Sequence, residues 1–355
     1  MNVHDSDKLS EVLESHGYQG IPDLGPDDLD LKRLGSCDIV LINTCCVREA
    51  AENRAFGFIT SLKNLKKKNP HLKIGICGCI VNEDHIDLKK MFPHADWFIP
   101  PNSPKRLEGL VNRELKVDNR KSRIGNYVVI MHGCDNYCSY CVVPYVRGRE
   151  TSRSIEEVLE EIRVLIDQGV RKITLLGQNV NSYKYGLANL LREIKSLIPG
   201  SPNSLVPRYP DLRISFLTSH PKDLSDELIN TVYELTYVAK EFHLPLQAGD
   251  DEILEKMNRQ YTLAYFKDRV KKIRELMPKA GITTDIIVGF PGESEEQFQN
   301  TLNAVREIRF NAVNMAAYSL RPQTAAARLP GHLTSEIKEA HLQRLIETVR
   351  EVVRA

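Results

Sequence analysis

Two patterns alternate along the chain: short apolar runs, and longer segments in which apolar residues recur every three or four positions. The short runs are rich in β-branched residues, as in buried parallel strands, and the longer segments indicate amphipathic helices. In the first third, strands are predicted at 37–43, 73–79 and 96–99, and helices at 7–17, 49–67 and 84–92. This alternation predicts an α/β domain with a parallel sheet over residues 1–118.

The alternation continues over residues 119–355 as six strand–helix repeats. Ser154 and Glu157 form a capping box at the start of one helix, and Gly169 is placed to end it. Six repeats predict a partial (β/α)6 barrel with right-handed crossovers, and ligands bind such barrels at the carboxyl ends of the strands. The predicted strands are 127–131, 172–176, 212–217, 241–247, 282–290 and 312–318.

Three cysteines, Cys134, Cys138 and Cys141, follow the first barrel strand at C-x3-C-x2-C spacing. Thiolates are the usual ligands of iron–sulfur clusters, and three of them on one loop leave the fourth iron of a four-iron cluster open to a small molecule. A zinc site and a disulfide with a spare thiol are the alternatives. Structural zinc takes four ligands, and no fourth cysteine lies nearby, so the spacing favours the cluster.

The residues around this loop, G-C-D-N-Y-C-S-Y-C-V-V-P-Y-V-R-G-R-E from Gly133 to Glu150, resemble the radical S-adenosylmethionine (SAM) enzymes. They are most similar to the methylthiotransferase branch that acts on dimethylallyladenosine in tRNA. The resemblance implies that the open iron binds SAM, and that one electron cleaves SAM to a 5′-deoxyadenosyl radical. It also implies that Tyr140 lies against the adenine, and that Gln178, Asn179 and Gly289 lie near SAM.

The same resemblance implies a second, auxiliary [4Fe–4S] cluster in the first domain. Cys45 and Cys79 match two of its three ligands; Cys45 follows one predicted strand and Cys79 ends the next, and the carboxyl ends of such strands meet at one sheet edge. The third ligand of the family lies just upstream of a Met-Asn pair such as the one at residues 1–2, so the first strand and first ligand are expected to be missing. Cys46 or Cys77 is an alternative ligand that the spacing does not demand, and Cys37 is expected to be buried.

Composition and charge fit an ordinary globular protein of two domains. The 355 residues are 27% charged and 42% hydrophobic, with a net charge of +1, so any RNA contact requires a local patch. Arg147 and Arg149, just after the cysteine loop, are the candidates. The N-terminus is not a signal peptide and no apolar run spans a membrane, so a cytoplasmic location is expected, or a mitochondrial one if a leader precedes Met1.

The resemblance as a whole implies transfer of a methylthio group to carbon 2 of dimethylallyladenosine beside the tRNA anticodon. The partners would be the anticodon loop, an electron donor and a sulfur source. Close relatives act instead on threonylcarbamoyladenosine or on an aspartate of a ribosomal protein. A non-catalytic binding or regulatory fragment is a further alternative, because the family's C-terminal TRAM RNA-binding module is also expected to be missing. The remaining alternative is a radical SAM enzyme with a single cluster.

Two histidines near the predicted strand ends, His220 and His243, are expected to be ordinary core or turn residues.

Overall fold

A computed structural model describes residues 2–21, 34, 36–46, 49–83, 86–111, 126–197 and 211–354. The chain divides into two compact units: unit 1 comprises residues 1–125 with 145–147, and unit 2 comprises residues 126–144 with 148–355. The boundary predicted between residues 118 and 119 falls outside the described residues. The short segment 145–147 therefore belongs to the first unit although unit 2 residues flank it on both sides.

Unit 1 is an α/β structure around a parallel sheet with strand order β1-β2-β3 in its described part. The carboxyl ends of β1 and β2 are level, because Thr44 pairs with Gly78. The helices bury apolar side chains such as Ile59 and Leu62 against the sheet. The elements are α1 (Asn2–Ser15), β1 (Ile39–Thr44), α2 (Glu49–Lys68), β2 (Lys73–Gly78), α3 (Leu88–Met91), β3 (Trp97–Ile99) and α4 (Pro104–Leu110).

Unit 2 carries two parallel sheets in its described residues, with strand orders β4-β7-β8 and β11-β10-β9. A parallel bridge between Ile214 and Val238 joins the segment before β9 to β8, so six strands follow one another as an open barrel wall. The predicted partial (β/α)6 barrel is thus confirmed. These strands are β4 (Tyr127–Val129), β7 (Lys172–Leu176), β8 (Arg213–Phe216), β9 (Glu241–His243), β10 (Gly281–Val288) and β11 (Ala312–Ala317), and β5 (Met131–His132) pairs with β6 (Thr151–Ser152).

The helices of unit 2 cover the outer face of this wall. Along β10, Ile282, Ile286 and Val288 are buried in the apolar core while Thr283 and Asp285 are half-buried, which is the alternation of a strand with two different faces. The helices are α5 (Val143–Arg147, whose last three residues belong to unit 1), α6 (Ile155–Asp167), α7 (Leu187–Glu193), α8 (Asp226–Glu234), α9 (Asp251–Lys256), α10 (Leu263–Leu276), α11 (Glu295–Ile308) and α12 (Ser335–Arg354). No helix in the described part of the chain is long and apolar enough to cross a membrane.

Two predicted segments differ from the structure in a way that matters for the sites. The helix predicted at 84–92 is only Leu88–Met91, and a 3-10 helix, Cys79–Asn82, takes over directly after β2; residues 84 and 85 lie outside the described residues. The strand predicted at 127–131 is interrupted before Met131, where the chain turns into the antiparallel pair β5–β6.

Candidate iron–sulfur sites

The loop that carries three cysteines is anchored at its start by tight backbone packing. Gly133 has a φ of 71°, and a Cβ at this position would collide with the carbonyl oxygen of Arg149. The Cys134 N–H donates to the carbonyl oxygen of Gly148 at 3.2 Å. The backbone of Gly148 and Arg149, which follows α5, therefore fixes the position of Cys134.

The second half of the loop is held by the segment that follows α9. The N–H of Ser139 donates to the Met257 carbonyl at 3.0 Å, and its Oγ donates to the Lys256 carbonyl at 2.7 Å. Asn258 Nδ2 donates to the carbonyl oxygens of Asn136 and Tyr137 at 3.1 and 3.0 Å. Four hydrogen bonds from distant sequence thus immobilise the backbone on both sides of Cys138.

The three thiols of this loop are close enough to affect one another's protonation. Burial raises the pKa of Cys134, and burial with the neighbouring Cys138 raises the pKa of Cys141 to about 12. None is in a disulfide. Among the described residues, no three His, Cys, Asp or Glu side chains surround a single ion. A four-iron cluster instead attaches each thiolate to a different iron, so this donor set fits a cluster and not a single zinc ion.

Arg259, which sequence reasoning missed, places a buried positive charge beside the loop. Its Nη1 donates to Cys138 Sγ at 3.2 Å and to the Tyr140 hydroxyl at 3.3 Å. Its Nη2 donates to the Pro245 carbonyl at 2.9 Å, and its Nε donates to the Tyr261 hydroxyl at 3.1 Å. A guanidinium suits this position because its donors have a fixed fork geometry. A lone arginine after a short helix gives no sequence signal.

Tyr140, predicted to lie against the adenine of SAM, has its hydroxyl engaged by Arg259. Burial raises the pKa of this hydroxyl well above its ordinary value, so it remains protonated. The ring packs against a small apolar cluster that contains Ala248 and Phe290. The contact with adenine stays a prediction.

Gln178 and Asn179 follow β7, as expected, but their side chains have different surroundings. Asn179 Oδ1 accepts the His220 N–H at 2.9 Å, and its Nδ2 donates to Asp223 Oδ2 at 2.6 Å. Asn179 therefore ties the carboxyl ends of β7 and β8 together. Gln178 Oε1 is buried and has no hydrogen-bond partner among the described residues. Of the two, Gln178 has the atom that a ligand would satisfy.

Further buried polar atoms at the carboxyl ends of the barrel strands also have no partner in the described residues. Buried polar groups are nearly always hydrogen-bonded, so a group of exceptions needs an explanation. A polar ligand with several donors and acceptors, such as SAM, supplies one. Besides Gln178, these atoms belong to Asn181, His220 (Nε2), Gln247 (Oε1) and Glu293 (Oε1).

His220 is a neutral hydrogen-bond donor in this group. Its Nδ1 accepts the Lys222 N–H at 3.3 Å, so the proton lies on Nε2. Burial, with the charges of Arg259 and Lys222, lowers its pKa to about 2. The hydrogen bond to Nδ1 is what an ordinary turn histidine would form, as expected. That expectation does not explain Nε2, which is buried and has no partner among the described residues.

Gly289 lies at the end of β10 with a φ of 72°. A Cβ here would collide with the side chain of Lys338 on α12, so helix packing already explains the glycine. The Gly289 N–H donates to Glu293 Oε2 at 2.6 Å, and His341 Nδ1 lies 3.4 Å from the same oxygen. Burial raises the pKa of Glu293 to about 7. These contacts do not test whether Gly289 lies near SAM, which stays a prediction.

In unit 1, Cys45, Cys46 and Cys79 lie at the carboxyl ends of β1 and β2. Cys46 is fully buried and Cys45 is half-buried, and hydrogen bonding from Cys46 lowers the pKa of Cys79 to about 7. Cys77 packs in an apolar cluster with Leu9 and Leu107, as an ordinary core thiol does, and burial raises its pKa to about 12. Cys37, expected to be buried, is half-buried and packs against the edge of the apolar core.

Arg147 and Arg149, both predicted to contact RNA, have opposite environments. The Arg147 side chain is 4% exposed and its Nη2 lies 3.0 Å from Asp5 Oδ2 within unit 1. A buried, paired guanidinium is not available to RNA, so the geometry argues against this part of the prediction. The Arg149 side chain is 78% exposed and pairs with Asp135 at 3.3 Å on the surface. It keeps the geometry that an RNA contact requires.

The open parallel barrel and its three-thiol loop define a radical SAM enzyme, and comparison with protein families agrees. Residues 128–305 match the family described as Radical SAM superfamily, and residues 1–100 match Uncharacterized protein family UPF0004. Enzymes of this superfamily use a [4Fe–4S] cluster and SAM.

Curated relatives refine the class. A protein of Desulfitobacterium hafniense is 40% identical over 98% of this chain and 78% of its own length. One of Clostridium perfringens is 40% identical over 99% of this chain and 80% of its own. Both are named tRNA-2-methylthio-N(6)-dimethylallyladenosine synthase. The chain therefore belongs to the radical SAM tRNA methylthiotransferase family, as its sequence motifs predicted.

Solved structures support the fold. The radical SAM methyltransferase TsrM of Kitasatospora setae matches with a TM-score of 0.68 at 17% identity, over 91% of this chain and 74% of that one. The cobalamin-dependent radical SAM enzyme OxsB matches with a TM-score of 0.56 at 11% identity, over 98% of this chain and 53% of its own. At these identities the likeness concerns architecture alone.

Proposed function

We propose that this chain adds a methylthio group to carbon 2 of dimethylallyladenosine beside the anticodon of tRNA. The observation that carries the proposal is the 40% identity to relatives of that name, which extends over 98–99% of the chain and so through both units. Each unit also contributes a group of thiols: those of unit 1 lie at the carboxyl ends of two parallel strands, and those of unit 2 lie on the loop after β5.

In unit 2, the proposed ligands of the SAM-binding cluster are Cys134, Cys138 and Cys141. The C–H bond at carbon 2 of adenine is inert to acid–base chemistry, and the cluster with SAM, when bound, supplies a radical able to abstract that hydrogen. The four hydrogen bonds that hold the loop around Cys138 fix the ligands. Arg259, itself buried, holds Cys138 and Tyr140 by hydrogen bonds.

The unpaired atoms at the strand ends would orient SAM. The Oε1 atoms of Gln178 and Gln247 accept hydrogen bonds, so they suit the ammonium or ribose hydroxyl groups. His220 Nε2–H donates, so it suits a carboxylate or a ring nitrogen. Since His220 stays neutral at physiological pH, it would do so without adding positive charge near the sulfonium.

In unit 1, Cys45 and Cys79 are the proposed ligands of the auxiliary cluster, with Cys46 directly against Cys79. Adding sulfur and a methyl group to one carbon requires a source of each. We assign the sulfur to the auxiliary cluster and its external sulfur source, the methyl group to a second SAM, and the electron for cleavage to a separate donor.

The proposed partner is the anticodon loop of tRNA, whose single-stranded bases can be turned out into a pocket. Arg149 supports this choice because it is exposed and lies directly after the cysteine loop. The relatives that share this chain's sequence are bacterial proteins, so we place the reaction in the cytoplasm.

The test is mass spectrometry of tRNA nucleosides from a bacterial host that lacks its own methylthiotransferase and expresses this chain. The expected product is 2-methylthio-dimethylallyladenosine, and Cys138→Ser should abolish it. A methylthio group on threonylcarbamoyladenosine, or on a ribosomal protein, would assign a different substrate within the family. If all of these substrates stay unmodified although the chain still cleaves SAM, the proposal is contradicted. That result would favour the alternative of a binding or regulatory fragment that does not transfer sulfur.

Iron and sulfide analysis after anaerobic reconstitution tests the cofactors separately. About eight irons per chain are expected, corresponding to two four-iron clusters. Changing Cys134, Cys138 and Cys141 to Ala together should leave about four. A parent chain with about four irons, all lost in that variant, would refute the auxiliary cluster.

A further inference from the structure

A network of polar side chains crosses three neighbouring strands of the unit 2 barrel wall. His243 Nδ1 lies 3.0 Å from Thr283 Oγ1, and His243 Nε2 lies 3.2 Å from Asp285 Oδ2. Asn314 Nδ2 donates to Asp285 Oδ1 at 2.9 Å. The strand register supports these contacts, since Thr283 pairs with His243 and Asp285 with Asn314. His243, expected to be an ordinary core or turn residue, therefore belongs to a network that spans β9, β10 and β11.

The network lies on the inner face of the wall, opposite the helices. Ile282 and Ile286 of β10 pack in the core with the helices, whereas Thr283 and Asp285 alternate with them and point to the other side. The interior of a closed parallel barrel is filled mainly by Val, Ile and Leu. Here the inner face carries hydroxyl, imidazole, carboxylate and amide groups instead, so it suits a polar ligand.

The donors of the network are directed at the Asp285 carboxylate. A carboxylate only accepts, so His243 Nε2 carries a proton and the Asn314 amide presents its Nδ2. The two donors approach different oxygens. A carboxylate has about four lone-pair sites, so it can accept from a ligand as well as from these two side chains. The Asp285 side chain is 33% exposed and that of His243 is 14% exposed, so the carboxylate is the more accessible of the two groups.

The network is adjacent to an atom assigned to SAM. The Gln247 N–H donates to the Asp285 carbonyl oxygen at 2.8 Å, and Gln247 Oε1 is one of the buried atoms without a partner in the described part of the chain. Abstraction of a hydrogen requires reacting atoms that are nearly in contact, about 3–3.5 Å apart. The substrate base must therefore lie beside bound SAM in the same barrel, where the polar inner face is available to it.

We propose that Asp285, oriented by His243 and Asn314, accepts a hydrogen bond from the N6–H group of the target adenine. The inference rests on the proposed function and names the contact that selects its base. An adenine with one dimethylallyl substituent keeps a single hydrogen on N6, its only N–H, while its ring nitrogens accept. Carbon 2 lies on another edge of the ring, so this contact leaves it open. Asp285 is thus a specificity-determining residue, and His243 and Asn314 are positioning residues.

The test measures binding of anticodon stem-loops to the full, reconstituted chain by fluorescence anisotropy, with SAM present and no reductant, so that the RNA binds without reacting. Three stem-loops are compared. One carries dimethylallyladenosine, one carries an added N6-methyl group in place of the remaining N6 hydrogen, and one carries 2′-deoxyribose at that nucleotide. The variants are Asp285→Ala and Asp285→Asn. The control is Asp268→Ala, an exposed aspartate on the outer helix α10. Circular dichroism checks that each variant is folded.

The parent and the control should bind the N6-methylated stem-loop roughly 10- to 100-fold more weakly than the dimethylallyl one, the range for a hydrogen bond to a charged group. In Asp285→Ala this ratio should fall to about one, because the acceptor is gone. Asp285→Asn keeps one oxygen and should lie between. A purely structural role for Asp285 would weaken all the RNAs by the same factor and leave the ratio unchanged. If Asp285→Ala does not fold, the ratio in Asp285→Asn decides the question.

A ratio in the Asp285 variants equal to that of Asp268→Ala would overturn the inference. Discrimination against the 2′-deoxy stem-loop that disappears in these variants, with the N6 ratio unchanged, would assign the carboxylate to the ribose hydroxyl instead. Weaker SAM binding with an unchanged ratio would assign it to SAM.

The two proposals fail differently. Methylthiolated tRNA from a chain whose N6 discrimination is indifferent to Asp285 refutes only this inference. Asp285-dependent discrimination in a chain that leaves tRNA unmodified refutes only the proposed function.

Discussion

A single buried charge, Arg259, organises the loop that carries the three thiols of unit 2. Its donors contact Cys138, Tyr140, Tyr261 and the Pro245 carbonyl. Its removal would take this donor from Cys138 Sγ and the Tyr140 hydroxyl, whereas the Pro245 carbonyl would keep the Tyr261 hydroxyl as a donor. Leaving a buried polar group unpaired costs about 1–3 kcal/mol each. The residue therefore matters for the loop's geometry more than its solitary place in the sequence indicates.

Changing Arg259 to Gln should lower iron retention by the cysteine loop and reduce 5′-deoxyadenosine formation from SAM by roughly 10- to 100-fold. The reason is the loss of the donor to Cys138 together with the disordering of Tyr140. Arg163→Gln, an exposed arginine on α6, is the control and should behave as the parent. Equal rates of SAM cleavage in the two variants would contradict this role for Arg259.

Glu293 makes folding stability depend on pH. Its pKa is raised by burial from an ordinary value of 4.5 to about 7, so between these pH values the folded chain binds a proton that the unfolded chain has released. Stability contributed by this group is full below about pH 4.5 and is lost as pH rises through about 7. The shift corresponds to a change of about 3 kcal/mol.

Glu293→Gln should remove this dependence, because an amide stays neutral and still accepts the Gly289 N–H. The difference in unfolding free energy between variant and parent should grow as pH rises from 5 to 8, with the variant the more stable at pH 8. Thermal or chemical denaturation at several pH values measures it. A difference that is constant across this range would show that Glu293 does not titrate there.

At the scale of elements, glycine conformation fixes where the cysteine loop begins. Gly133→Ala should be strongly destabilising and should lower iron retention, since it combines a left-handed φ of 71° with a collision at the Arg149 carbonyl. Gly169→Ala is a matched control: its φ is 89°, but nothing lies near the added Cβ. It should cost only the backbone strain, about 1–2 kcal/mol. Denaturation curves that shift equally in both variants would remove the collision from the explanation.

Long elements could be predicted from sequence because their apolar spacing extends over several turns or alternations. The 20-residue helix Glu49–Lys68 agrees with the predicted span 49–67 to within one residue, and the helix Ile155–Asp167 begins at its predicted capping box. Short elements could not. The helices Val143–Arg147 and Asp251–Lys256 span only five and six residues, too few for a helical period to be recognised. The first brings Arg147 to unit 1, and the second precedes the residues that hold the cysteine loop.

Sequence patterns are local, and this explains which parts of the two sites could be predicted. Cys134, Cys138 and Cys141 are revealed by spacing within one loop. The contact of Cys79 with Cys46, and the contacts of Arg259 and Arg147, join residues far apart in the chain. No local pattern encodes such pairs, and the charge of a buried arginine looks in sequence like that of an exposed one.

At the scale of the whole molecule, a net charge of +1 means that RNA binding must depend on a few local cations. Binding of an anticodon stem-loop should weaken with salt, and each single-strand phosphate contact contributes about −0.7 to the logarithmic slope. Arg149→Gln should therefore make the slope shallower by about 0.7, and Arg147→Gln should leave it unchanged. Fluorescence anisotropy over a range of salt concentrations measures both, and identical slopes for Arg149→Gln and the parent would exclude that phosphate contact.

The membership of residues 145–147 in unit 1 also limits how the gene can be divided. A piece ending at residue 125 would contain Asp5, Cys46 and Cys79 but would lack Arg147, leaving the buried carboxylate without its guanidinium. Such a piece would be a poor module for fusion, domain exchange or isolated expression, since removing one member of a buried ion pair costs about 3–5 kcal/mol. A contiguous piece that keeps this ion pair would have to extend at least to residue 147. Such a piece would also include residues 126–144 of unit 2, so a single cut in the gene cannot separate the two units.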